Sequence, residues 1–128
     1  MNRYVCFFGY VSSLTSLNQK EAIYFLYDEG GVSTGSTASP NWQCVCANGG
    51  IRTFVTTSVP VTDTSSGAMQ KLRIDDDGTG TNVMFYIDDV LVATITTNVP
   101  TSAGTLANTV RILKQAGTTQ RVLYVDYM

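Results

Sequence analysis

A single tryptophan stands between two amide side chains, in the run Asn41-Trp42-Gln43, and it is the only tryptophan among 128 residues. A flat aromatic ring can cover the apolar face of a sugar while neighbouring amides bind its hydroxyl groups. Tyr24 and Tyr86 can supply further aromatic platforms. These five residues are the candidate glycan-binding residues, although for Trp42 itself we favour the alternative that the ring belongs to the hydrophobic core.

Residue types that hydrolytic catalysis requires are missing or scattered. The sequence contains no histidine, so a serine or cysteine nucleophile lacks its usual base. The two glutamates, Glu21 and Glu29, open a predicted strand and lie in a predicted turn. No strand carries the pair of carboxylates, about 5 to 5.5 Å apart, that a retaining glycosidase uses. We therefore expect no catalytic residues and no enzyme activity.

The longest acidic run is Asp75-Asp76-Asp77, which is followed by Gly78. Carboxylates grouped in a loop can bind calcium. This run lacks the spaced ligands of an EF-hand, and Asp-Gly is ordinary turn chemistry, so we favour a turn over a calcium site. Zinc would need a fourth ligand beside three cysteines, and there is no histidine to supply it. We expect no metal and no cofactor.

The three cysteines are Cys6, Cys44 and Cys46. Cys44 and Cys46 are two residues apart in a strand-like run, which separates them by about 6.5 to 7 Å along the strand. That distance is too long for an easy mutual disulfide. We favour three buried free thiols over a bridge from Cys6 to one of the pair.

The charge pattern excludes two classes of partner. Eight basic residues are scattered along the chain, the net charge is −2 and the isoelectric point is about 4.8. A nucleic-acid partner is therefore not expected. No apolar run approaches the ~20 residues that a membrane-spanning helix needs, so no membrane partner is expected either. The length fits one domain, residues 1–128.

Short runs rich in β-branched and aromatic residues alternate with turn signals along the whole chain. They predict nine strands, at residues 3–11, 21–27, 41–47, 51–57, 69–74, 81–87, 90–97, 109–114 and 121–128. Asn48-Gly49 between two such runs is a strong hairpin signal. The predicted fold is all-β, an antiparallel two-sheet sandwich of the jelly-roll type.

A second hairpin, with Asp88-Asp89 as its loop, is the segment around which the predicted fold is organised. This loop predicts four facing pairs: Ile87 with Val90, Tyr86 with Leu91, Phe85 with Val92 and Met84 with Ala93. Both faces of the hairpin are then apolar. We expect each face to be covered, either within a sandwich or by another surface.

The order of these motifs resembles the concanavalin A-like lectin/glucanase jelly rolls, in particular the version found in bacteriophage virion proteins. The matching stretches are Ala22-Ile23-Tyr24-Phe25, Asn41-Trp42-Gln43, Lys71-Leu72-Arg73-Ile74, the hairpin from Val83 to Thr94, Thr97-Asn98-Val99-Pro100, Ile112-Leu113-Lys114 and Leu123-Tyr124-Val125-Asp126-Tyr127. The most specific piece is the hairpin followed by Asn-Val-Pro.

The chain departs from the pattern of this family in two places. Asp89 stands where the family usually has a glycine, which tolerates the positive φ of a type I′ turn more easily. The chain also begins at what resembles a later strand of the family. The resemblance therefore implies a sandwich that is trimmed at the N-terminus and leaves a strand edge or an apolar face open.

The resemblance implies a virion structural or surface module, either a capsid decoration or a tail-fibre component, located in the virion. Such a module would bind a glycan or another virion protein, and a homo-oligomer such as a trimer would cover the open face. The alternative is a secreted carbohydrate-binding, lectin-like domain or a trimmed glycoside hydrolase of cellular origin. A third possibility is a pure oligomerisation domain without a ligand.

Overall fold

The computed structural model describes residues 3–16, 18–62, 68–101, 106–120 and 122–126. These ranges contain no helix, and hence none that could span a membrane. They form eight strands: β1 (Arg3–Val11), β2 (Ala22–Asp28), β3 (Ser39–Asn48), β4 (Ile51–Pro60), β5 (Leu72–Asp76), β6 (Val83–Ile87), β7 (Val90–Ile95) and β8 (Ala107–Ala116).

The strands form two antiparallel sheets. The larger sheet has the order β4-β3-β2-β1-β8 and the smaller one has the order β5-β6-β7. Asn48-Gly49-Gly50 joins β3 to β4 as predicted, and both glycines adopt the positive φ, 60° and 84°, that a tight hairpin loop requires. The predicted all-β, antiparallel two-sheet sandwich is confirmed.

The core between the sheets comes from alternate positions of the central strands. Phe25 of β2 lies at its centre, with its ring edge-on to Phe85 of β6 at 5.2 Å between centroids and to Trp42 of β3 at 6.0 Å. Cys44 and Cys46 follow Trp42 on the same side of β3. The two-residue period of a strand explains why all three share this face.

The outer face of the larger sheet is also apolar, and loops of the same chain cover it. A second cluster of buried residues lies there, made of Val5, Phe7, Val11, Ala22, Tyr24, Leu26, Val45 and Ala47. The loops before β2 and before β3 lie across this cluster. Arg52 fixes both loops, because its guanidinium donates to the carbonyl of Gln19 in one and to that of Thr34 in the other.

A buried carboxylate organises the second of these loops. Asp28 at the end of β2 accepts hydrogen bonds from the backbone N–H groups of Val32 and Ser33 and from the Ser36 hydroxyl, at 2.6 to 3.0 Å. Three donors to one carboxylate satisfy the charge that burial would otherwise penalise. The outer face of this sheet is therefore closed within the chain.

The β6–β7 hairpin has the predicted loop but only half of the predicted register. Asp88 and Asp89 adopt φ of 51° and 65°, the left-handed region that a type I′ turn requires. The first two facing pairs, Ile87 with Val90 and Tyr86 with Leu91, are confirmed. A bulge after Tyr86 then shifts the register by one residue, so that Phe85 faces Ala93 and Met84 faces Thr94. The other two predicted pairs are wrong.

The two faces of this hairpin differ in how well they are covered. Val83, Phe85 and Ile87 are buried in the core. On the outer face, the guanidinium of Arg73 lies 4.0 Å from the centroid of the Tyr86 ring, and Leu91 is 50% exposed. Within the described part of the chain the outer face of the hairpin is uncovered, and its cover by another surface stays a prediction.

The ninth predicted strand is absent from its described residues. Residues 122–126 have strand-like sequence but form no strand, and all five are exposed. Propensity alone is insufficient, because a strand needs the backbone of a neighbouring strand to pair with.

Candidate functional site: a groove over β1 and β8

The smaller sheet is two strands narrower than the larger one, and this difference leaves a groove. β7 lies against β3 and β4, and β5 lies against β2. Neither therefore covers the inner face of β1 and β8. The space has a volume of about 590 Å³. We call it the groove and treat it as the candidate functional site.

Apolar side chains of the two uncovered strands form the floor of the groove. Tyr4, Cys6 and Phe8 come from alternate positions of β1, and Val110 and Ile112 come from β8. The antiparallel register places Cys6 opposite Ile112 and Phe8 opposite Val110, so these four side chains share one face. The floor is therefore continuous across both strands.

One wall flanks this floor. It contains Tyr27, Trp42, Gln70 and Leu72, which belong to the core or border it. The exposed segment 122–124 forms another part of the lining. None of the described residues that line the groove is Asp, Glu, Lys or Arg. The groove therefore suits an uncharged, largely apolar ligand.

Gln70 forms a clip that joins three parts of the chain at the Trp42 wall. Its Oε1 accepts from Trp42 Nε1 at 2.9 Å and from the backbone N–H of Thr62 at 3.0 Å. Its Nε2 donates to the carbonyl of Pro60 at 2.9 Å. The polar atoms beside Trp42 are thus already used within the protein.

Trp42 itself is a buried core residue that also lines the groove. Its residual exposure is 7%, and its ring packs against Phe25 and Tyr27 with interplanar angles of 74° and 66°. A sugar would need an accessible ring face. The position of Trp42 matches the core alternative that the sequence favoured for this residue.

The amide neighbours of Trp42 point away from it. Alternation along β3 places Gln43 on the outer face of the sheet, where it is fully buried and donates to the Thr37 carbonyl. Asn41 donates to the Thr57 carbonyl. Neither amide lies beside the Trp42 ring.

The two candidate tyrosines lie on the outer faces of the two sheets, away from the groove. Tyr24 is fully buried in the outer cluster beside Phe7, and burial raises the pKa of its hydroxyl to about 12. Tyr86 lies on the outer face of the smaller sheet under Arg73. The fold thus distributes the five candidate residues over different surfaces and does not assemble them into one glycan site.

Three free thiols, Cys6, Cys44 and Cys46, are buried on the inner face of the larger sheet, as the sequence favoured. Desolvation raises the pKa of Cys6 to about 11 and that of Cys46 to about 12, and it raises the pKa of Cys44 further. The thiolate is the reactive form of cysteine. At neutral pH these thiols are protonated packing groups, and Cys6 presents one of them to the groove.

The acidic run is only partly a turn, because Asp75 and Asp76 end strand β5 and Asp77 alone belongs to the turn that follows. Asp77 accepts from the backbone N–H and hydroxyl of Thr79, from the Thr81 hydroxyl and from the Asn82 amide, and these bonds hold the pKa of its carboxyl well below the usual range. Within the described ranges, no group of three or more His, Cys, Asp or Glu side chains is placed to hold a metal ion.

The fold and the groove define the chain as a β-sandwich with one open, apolar end. Family models, curated proteins and solved structures were compared with the chain, and none matches it. The resemblance implied an open strand edge or apolar face, but its place over β1 and β8 was not predicted, although β1 carried a signal for it. Both faces of β1 are apolar, and the second sheet has too few strands to cover the inner one.

Proposed function

We propose that this chain is a non-catalytic virion structural or surface module, a capsid decoration or tail-fibre component, whose groove binds an apolar segment of another virion protein. The observation that carries the proposal is the uncharged groove of about 590 Å³ over β1 and β8. The motif order that resembles the virion version of concanavalin A-like jelly rolls supports the virion assignment and a jelly-roll topology.

The chemistry of the groove favours a polypeptide segment over a glycan. Sugar recognition needs several free polar groups beside an open aromatic face. Here the amide of Gln70 is used by Trp42, Thr62 and Pro60. The other lining residues are mostly aliphatic or aromatic, such as Leu72 and Ile112, with Gln120 as the second amide, and the apolar ones contribute mainly through burial of apolar surface.

A non-catalytic role is supported by the state of the possible nucleophiles. The Cys6 thiol is the only cysteine that lines the groove within the described ranges, and burial keeps it protonated. The sequence has no histidine to act as its base. No carboxylate lines the described groove, so an acid–base pair is missing there as well.

Ile112→Asp tests the proposal directly, because it places a charge on the groove floor. Val90→Asp is the matched control, since Val90 is 64% exposed at the far end of the smaller sheet. Particles of the virus that carries the gene are purified and the chain is counted by quantitative mass spectrometry. We expect stoichiometric incorporation of the wild type and of Val90→Asp, and at least tenfold less of Ile112→Asp.

Two outcomes would contradict the proposal. If Ile112→Asp folds, as judged by circular dichroism, and is incorporated like the wild type, the groove is not the binding surface. If the wild-type chain is absent from particles but binds an immobilised glycan saturably, the secreted carbohydrate-binding alternative is correct.

A further inference from the structure

The smaller sheet has a free edge that faces the groove. Within the described ranges, β5 pairs only with β6. Because β5 lies against β2 and the larger sheet continues to β1, a strand added to this edge would lie over β1. The empty strand position and the groove are therefore the same place.

The hydrogen-bonding groups at this edge can be identified from the register. Asp88 N donates to the Lys71 carbonyl and Asp77 N donates to the Asn82 carbonyl. Bonded and non-bonded pairs alternate in an antiparallel ladder, so Arg73 bonds to β6. The N–H groups of Leu72 and Ile74 then point to the free edge, where they can pair with a further strand.

An unpaired segment of the same chain lies at this groove. Val122, Leu123, Tyr124 and Val125 are 37 to 64% exposed, although their sequence is typical of a strand. The structure gives no backbone hydrogen bond from residues 122–126 to any other described residue. Among the described residues, the free edge of β5 and the unpaired strand-like segment 122–126 therefore lie at the same groove.

The linker between β8 and this segment is long enough for the two to meet. Residues 117–121 can span about 16 to 18 Å when extended. A strand placed over β1 would be about 10 Å above the larger sheet and one strand spacing, about 5 Å, to the side of β8. These two displacements are perpendicular, so the linker must span about 11 Å. Gly117, with φ of 92°, already turns the chain back after β8.

Side-chain alternation also fits one orientation of the segment. Leu123 and Val125 are two residues apart and both apolar, so in a strand they would lie on the same face and could both face the groove. Asp126 then faces outward with Tyr124, on the side where β5 presents Arg73. This orientation buries no charge and brings a carboxylate to the side of a guanidinium.

We propose that residues 122–126 are a movable strap that, in a second conformation, pairs with the free edge of β5 and closes the groove. The strap competes with the partner for the same apolar floor, a consequence that rests on the proposed function. A tethered segment has a high effective concentration at its site, so a partner must displace it to bind.

The test is amide hydrogen exchange by NMR on the full chain without any partner. The strap variant is Leu123→Ser/Val125→Ser, and the control is Val90→Ser/Leu91→Ser, which removes two exposed apolar side chains elsewhere. We expect Leu72 and Ile74 amides to exchange at least twofold faster in the strap variant than in the wild type and in the control. The Arg73 amide, bonded to β6, should be unchanged in all three proteins and serves as the internal standard.

Equal exchange of Leu72 and Ile74 in all three proteins would overturn the strap. Protection that rises with protein concentration would also overturn it, because a second copy would then supply the strand. The result is independent of the particle experiment above. A failed incorporation test leaves strap closure measurable, and an absent strap leaves the groove available to a partner.

Discussion

Removal of the Gln70 side-chain amide is expected to destabilise the wall of the groove. Gln70→Ala deletes three hydrogen bonds, to Trp42, Thr62 and Pro60. Pro60 is exposed and Thr62 is partly exposed, so water can replace the amide at both. Trp42 is 7% exposed, so its N–H loses its acceptor in a buried place. An unsatisfied buried donor costs about 1 to 3 kcal/mol, and the other two bonds add about 1 kcal/mol together.

We therefore expect Gln70→Ala to lower the free energy of unfolding by about 2 to 4 kcal/mol. For a domain of this size the melting temperature should fall by roughly 8 to 16 °C. Urea unfolding followed by tryptophan fluorescence measures the loss, and Trp42 is the only tryptophan, so the signal reports this wall. Gln120→Ala, an exposed glutamine on the same groove, is the control and should lose less than about 0.5 kcal/mol. A loss for Gln70→Ala as small as that of the control would refute the clip.

Three further predictions concern the scaffold. Gly9→Ala should lower the free energy of unfolding by at least about 3 kcal/mol, because the new Cβ would clash with the carbonyl oxygen of Ile23. Urea unfolding measures this loss, and a loss near 1 kcal/mol would contradict the close approach of the two backbones. Asp89→Gly should change the free energy of unfolding by less than about 0.5 kcal/mol, because relief of its positive φ is offset by loss of the exposed ion pairs with Lys71 and Arg73. Asp88→Gly should destabilise the protein by about 1 kcal/mol because Asp88 Oδ1 accepts the Lys71 N–H, and equal effects in thermal unfolding would refute this asymmetry. Burial raises the pKa of all three cysteine thiols, so the folded state keeps their protons where the unfolded state loses them. Stability should be constant below about pH 8 and then fall, by up to about 1.4 kcal/mol per pH unit for each thiol, and a flat profile from about pH 8 to 11 would be the contrary result.

The elements that the sequence predicted correctly are those whose signals come from residues adjacent in the sequence. Alternation and the Asn48-Gly49 turn are local signals, and they identified eight of the strands and both hairpins. The bulge that places Phe85 opposite Ala93 has no signal in the alternation of the two strands. The Trp42–Gln70 bond joins residues 28 apart in sequence. The candidate glycan site failed to assemble for a simpler reason, since adjacent residues of a strand face opposite sides.

The free energy that burial and hydrogen bonds contribute to strap closure is similar in size to the free energy lost by ordering the strap. Two conformations are populated when these contributions nearly cancel. Closure would complete the burial of partly exposed groove side chains, including Phe8, Leu72 and Ile112. Each contributes about 1 kcal/mol when the remaining half of its surface is covered, and Leu123 and Val125 contribute similarly, for about 5 kcal/mol in total. Ordering the backbone of residues 122–126 costs about 1 to 2 kcal/mol per residue, or about 5 to 10 kcal/mol. Three or four edge hydrogen bonds, at about 1 kcal/mol each, offset most of the remainder.

A balance this close makes the strap sensitive to small changes in the groove. A partner that supplies a preformed strand pays less ordering entropy than the strap does, and it can displace the strap with similar side chains. By the same reasoning, filling the floor with a larger side chain, as in Val110→Phe, should shift the strap towards the open conformation. That shift predicts faster exchange of the Leu72 and Ile74 amides, although the sequence of residues 122–126 is unchanged. Unchanged exchange in Val110→Phe would mean that the floor and the strap are not in contact.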